Sequence, residues 1–128
     1  MKDKRKVKMF RAIFIIWCAL ILIGTIIPGK RVPLKNDGFS DKIAHFFQYL
    51  VFSTLLSLVY RFANRSTNET LKTLIILSLT LPILNEVIQL WIPNRSFSVL
   101  DMVANFIGFL VVIIYLFIKD KIRKKSLG

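Results

Sequence analysis

Glu86 stands in a stretch, Leu74 to Trp91, that is otherwise dominated by leucine and isoleucine. A carboxylate in such surroundings is costly to remove from water, and it can trade a proton, hold a cation or accept hydrogen bonds from a ligand. It does not stand alone. Asp41, His45, Gln48 and Tyr49 recur at spacings of three and four, which places them on one face of a helix. Asp101, Asn105 and Gly108 share the same periodicity, and Asn85, Glu86 and Gln89 precede Pro93 and Arg95. His45 with Glu86 would make an acid–base pair, while Lys42 and Arg95 suit a phosphate or carboxylate, arginine through its planar fork. His45, Glu86 and an aspartate would serve a metal by ligand type, but the spacing is not diagnostic, so no metal and no cofactor is assigned. The chain holds no HExxH, no serine-nucleophile motif and no glycine-rich phosphate loop.

The elements that must carry these residues are membrane spans. The 128 residues are 55% hydrophobic, with a mean hydropathy of +0.60. Their apolar residues fall in four blocks, each near the ~20 residues that cross a bilayer core. The expected fold is all-α, an integral membrane four-helix bundle. A basic arm occupies residues 1–9, spans lie at about 10–28, 41–62, 69–92 and 99–118, and a basic tail fills 119–128. Ser66 with Glu69 and Ser98 with Asp101 have the spacing of N-terminal capping boxes. Pro82 predicts a kink, and Pro33 with Asn36-Asp37-Gly38 predicts turns. Thr25-Ile26-Ile27-Pro28 lacks the small residues of a signal-peptidase site, so the first span is read as retained. Cys18, the single cysteine, reads as a small buried hydrophobe.

The net charge of +12 would fit a nucleic-acid binder, but the basic residues lie beside apolar blocks without interleaved aromatics, so no nucleic-acid partner is expected. Lysines and arginines favour the cytoplasmic side. With the N-terminus inside, that side carries Lys2, Lys4, Arg5, Lys6, Lys8, Arg11, Arg61, Arg65, Lys72, Lys119, Lys121, Arg123, Lys124 and Lys125. The outer side then carries only Lys30, Arg31, Lys35, Lys42 and Arg95. Both termini are therefore expected in the cytoplasm, and the polar sets at the outer leaflet. The halves also echo one another, with Ile-Pro, a basic residue and Asp-x-x-Ala-(His or Asn)-Phe at 41–46 and 101–106. This suggests two repeated helical hairpins related by an axis along the membrane normal.

Each polar residue also has a structural reading. Asp101 and Asp41 suit helix N-termini. His45, Gln89 and Asn105 could join helices by hydrogen bonds, and Glu86 could pair with Arg95. Phe46, Phe47, Phe52, Phe106, Phe109 and Trp91 read as packing residues or interfacial anchors.

Three blocks in order, Asp41-Lys42-x-x-His45-Phe46-x-x-Tyr49, Glu86-x-x-Gln89-x-x-x-Pro93-x-Arg95 and Asp101-x-x-x-Asn105-x-x-Gly108, resemble the VanZ-like family of bacterial membrane proteins. The resemblance implies a multi-pass protein of the bacterial cell membrane with a role at the envelope, and it brings in reduced susceptibility to teicoplanin. It supplies no reaction. The expected ligand-binding set is Asp41, Lys42, His45, Tyr49, Glu86, Gln89, Arg95, Asp101 and Asn105. Its expected partners are membrane lipids and a lipid-linked cell-wall precursor or a glycopeptide; the oligomeric state is left open. The alternative is a membrane enzyme acting on a lipid-linked envelope substrate, with His45 and Glu86 as the acid–base pair.

Overall fold

A computed structural model of the protein describes residues 3–28 and 38–127. The turns expected at Pro33 and Asn36-Asp37, and the outer basic residues Lys30, Arg31 and Lys35, lie outside the described residues. Four helices follow one another: α1 (Lys4–Ile26), α2 (Phe39–Phe62), α3 (Thr67–Gln89) and α4 (Val99–Leu127). All four are long and apolar enough to cross a membrane. Helices suit that setting because each backbone N–H and C=O is satisfied within its own segment.

The starts follow local chemistry. At α3 the expected box is complete: Ser66 Oγ accepts from the Glu69 amide at 3.1 Å, and Glu69 Oε2 accepts from the Ser66 amide at 2.9 Å. The helix runs through Pro82 without interruption. Asp3 caps α1 by accepting from the Lys6 amide at 3.2 Å, so most of the basic arm is wound into that helix. At the other terminus Asp120 pairs with Lys124 at 2.6 Å and with Arg123 at 3.2 Å. These one-turn pairs carry α4 through the basic tail to Leu127.

The helices alternate in direction. Phe10 stacks on Phe62, ring centroids 5.0 Å apart, which joins the start of α1 to the end of α2. At the opposite end Arg95 reaches the last carbonyls of α1, and His45 meets Asp101. In cross-section α1 neighbours α2 and α3, α4 neighbours the same two, and α1 and α4 do not touch. Tyr49, Phe52, Leu56, Leu74, Phe109 and Val112 form the core. Large apolar side chains such as Ile15, Ile16, Leu22, Ile76, Leu79 and Phe117 point outward. In water that surface would be a liability; against acyl chains it is the ordinary exterior of a membrane bundle.

The two hairpins stand side by side, α1 against α3 and α2 against α4. Residues 60 positions apart therefore meet: Thr25 donates to Asn85 Oδ1 at 2.7 Å, and His45 bonds Asn105 at 3.1 Å.

The closest approach is at Gly108. A Cβ there would lie 2.5 Å from the Phe46 carbonyl oxygen and 2.9 Å from the Leu50 nitrogen, both backbone atoms of α2. Small residues allow such contact between membrane helices, and backbone cannot yield as a side-chain tip can. Gly108→Ala should therefore cost about 1–3 kcal/mol, as overpacking does elsewhere. Thermal unfolding of the detergent-solubilised protein measures it, and a midpoint unchanged from wild type would contradict the close α2–α4 contact.

Candidate functional site

Three helix ends deliver polar side chains to one place. The first turns of α2 and α4 begin at this end, and α3 finishes here. On α2, His45 and Tyr49 are buried, Lys42 is half-buried and Asp41 is exposed at the rim. Buried Asp101 and Asn105 come from α4, and buried Asn85, Glu86 and Gln89 from α3. Glu86 and Asn105 have no exposed surface at all, at 0% each. The helical spacing read from the sequence thus selects inward-facing residues on all three helices.

The hydrogen bonds are more specific than the spacing. Glu86 Oε2 accepts from the backbone amide of Ser98 at 2.9 Å. Ser98 is the residue before α4, and its hydroxyl accepts from the Asp101 amide at 3.2 Å. In a full capping box the acid at Asp101 would return to the Ser98 amide. Here Glu86 from α3 takes that position across the bundle. The Asp101 carboxylate is released toward α2 instead, with Oδ2 at 3.8 Å from His45 Nε2 and Oδ1 at 3.9 Å from Lys42 Nζ. Lys42 Nζ also donates to the Gly38 carbonyl at 3.1 Å. His45 Nδ1 completes the link to Asn105 Oδ1.

Arg95 departs from the structural pairing considered above. Its Nε and Nη2 donate to the carbonyls of Ile27 and Gly24, at 3.3 and 3.0 Å. Those are end-of-helix carbonyls with no partner inside α1, to which a guanidinium is a natural donor. Among the described residues no ion pair joins Glu86 to Arg95. Tyr49 lies deeper, with its ring 5.2 Å from Phe109, between the polar cluster and the apolar core. The bond from the Ser98 amide to Glu86 and the approach of Asp101 to His45 join the three helix ends into one cluster.

Two participants escaped the sequence reading. Thr25, buried near the end of α1, ties that helix to Asn85. Its signal was a hydroxyl in an apolar run. The Ser98 amide left no signal, because a backbone group carries no side-chain label. Among the described residues, donor atoms of Asp41, His45 and Asp101 lie within 4.8 Å of one another. A groove of about 790 Å³ lies at the other end of the bundle, where Arg61, Lys119 and Arg123 border apolar walls.

Glu86 therefore has a testable capping duty. Glu86→Gln keeps an oxygen for the Ser98 amide and should unfold close to wild type. Glu86→Ala should lose about 1–3 kcal/mol and expose the first turn of α4 to faster hydrogen exchange. Equal exchange in both variants would remove Glu86 from the cap.

Comparison with known proteins adds one finding. Residues 5–120 match the family model described as VanZ/LLP1. No curated protein and no solved structure matches the chain.

Proposed function

The chain belongs to the VanZ-like family, and from that premise we propose that its polar cluster binds the charged head of a lipid-linked envelope component. The ligand is an envelope precursor on a lipid carrier or the polar part of a lipoglycopeptide, and binding lowers susceptibility to teicoplanin. One observation carries the reading. Four buried polar atoms in the cluster have no hydrogen-bond partner among the described residues: the amide nitrogens of Asn85 and Asn105, and the carboxylate oxygens Glu86 Oε1 and Asp101 Oδ1. Native proteins pair such atoms, and each one left unpaired costs about 1–3 kcal/mol. Two donors and two acceptors in one cluster match a ligand rich in hydroxyl or amide groups. Lys42, half-buried at the rim, adds a cation for a phosphate or carboxylate. The apolar faces of the surrounding helices suit the attached acyl chain.

In this reading the protein sits in the bacterial plasma membrane with both termini in the cytoplasm. The end rich in Arg61, Arg65, Lys119 and Arg123 is the inner one, and the polar cluster faces outward. Reporter domains fused at the N- and C-terminus should both be active only if cytoplasmic; an exported terminus would invert the site.

The enzyme alternative has its own support in the His45 ring, which Asn105 orients toward Asp101. An imidazole fixed in this way is the usual form of a general base. One experiment separates the readings. Wild type purified in mild detergent should carry lipid-linked molecules detectable by mass spectrometry. Glu86→Gln, which retains the α4 cap, should carry several-fold less and should lose any effect on teicoplanin susceptibility in parallel. For an enzyme, His45→Ala would abolish turnover and leave retention intact. Identical retained lipids in wild type and Glu86→Gln would count against head-group binding.

A further inference from the structure

His45 and Asp101 face one another in a way their own hydrogen bonds do not explain. His45 Nδ1 lies 3.1 Å from Asn105 Oδ1. An amide oxygen only accepts, so Nδ1 is the donor in that bond and Nε2 is the ring nitrogen turned toward Asp101. Nε2 stands 3.8 Å from Asp101 Oδ2, beyond hydrogen-bond distance. The other oxygen, Asp101 Oδ1, is buried without a hydrogen-bond partner. Its neighbour Lys42 Nζ, at 3.9 Å, is beyond bonding distance. The Asp101 side chain is only 9% exposed. Asp41, one turn before His45 on α2, brings a third donor, and the three ligand atoms lie within 4.8 Å of one another.

We propose that Asp41, His45 and Asp101 bind a divalent metal ion of the zinc or manganese type at the outer end of α2 and α4. The geometry suits it. Two donors about 2.1 Å from one ion stand at most ~4.2 Å apart, so the 3.8 Å gap between Nε2 and Oδ2 already accommodates a cation. Asp41 is exposed at the rim, and no two of the three donor atoms are more than 4.8 Å apart. One imidazole nitrogen with two carboxylates suits zinc or manganese, whereas calcium takes six to eight oxygens. The Asn105 carbonyl does for His45 what carbonyls commonly do for metal-binding histidines: it fixes the tautomer and the ring orientation.

Two features oppose a cation: the Lys42 ammonium and the positive ends of two helices. The two carboxylates of Asp41 and Asp101 outnumber the single ammonium. Lys42 is on a flexible stem with a side chain 32% exposed, so it can swing to water when an ion enters. The proposal concerns the same cluster as the head-group reading and does not depend on it, since an ion can be bound with no lipid present.

The test uses the full chain in detergent, carrying a tag without histidines and stripped with chelator. Zinc chloride and, separately, manganese chloride are titrated by calorimetry, and bound metal is counted by mass spectrometry after gel filtration. Wild type should take up one ion per chain. Asp41→Asn, His45→Gln and Asp101→Asn should each weaken binding by about tenfold or more, comparable to the loss of a supporting partner elsewhere. Lys42→Gln should tighten it. Asp41 is exposed, so Asp41→Asn should unfold like wild type and isolates the metal effect from folding. Equal binding by wild type and Asp41→Asn would mark adventitious ions and overturn the proposal. So would no uptake of either ion by wild type. Loss of metal with unchanged retained lipid would separate this proposal from the head-group reading.

Discussion

A carboxylate of one helix caps the start of another: Glu86 Oε2 holds the backbone amide of Ser98 at 2.9 Å. A helix start leaves its first amides without partners in its own backbone, and here a side chain of another helix supplies one. The bond fixes the end of α3 to the beginning of α4. It also occupies the position that Asp101 would take in a self-contained capping box. Asp101 is consequently turned to α2, where His45 and Lys42 stand. One hydrogen bond between helices thus decides which carboxylate is spent on architecture and which faces the cluster, with Glu86 still keeping its second oxygen without a partner.

The same economy applies along α2 and α4. Gly108 removes the side chain that would hold the two backbones apart, and one turn nearer the start of α4 His45 and Asn105 come within hydrogen-bond distance. The aromatic rings of Tyr49, Phe52 and Phe109 seal the cluster from below. Polar chemistry at the end of the bundle and apolar packing in its middle are therefore two consequences of one close helix pair. The outer surface has a different task, to meet lipid, and its isoleucines, leucines and phenylalanines need no partner within the chain.

Basic charge divides along the same axis. Most lysines and arginines gather where the termini and the α2–α3 turn lie, and several are already engaged: Lys124 and Arg123 with Asp120, Arg65 with Glu69. At the polar end, Arg95 is committed to the carbonyls of α1. Among the described residues Lys42 is the cation that borders the cluster, donating to the Gly38 carbonyl and standing 3.9 Å from Asp101.

The sequence by itself determined the four helices, since twenty-residue apolar blocks and the Ser66–Glu69 cap are local features that need no tertiary partner. It also determined which faces turn inward, because His45, Tyr49, Asp101, Asn105, Glu86 and Gln89 recur at the helical period and burial follows periodicity. Helix ends were less legible: Asp3 and Asp120 extend α1 and α4 into segments that composition marks only as basic. The tertiary structure alone decided the pairings. Whether Asp101 caps its own helix and whether Glu86 meets Arg95 or the Ser98 amide both depend on which helices become neighbours. Spacing within one helix holds no information about that choice. It is set by close packing at sites such as Gly108 and by backbone donors that the sequence does not label.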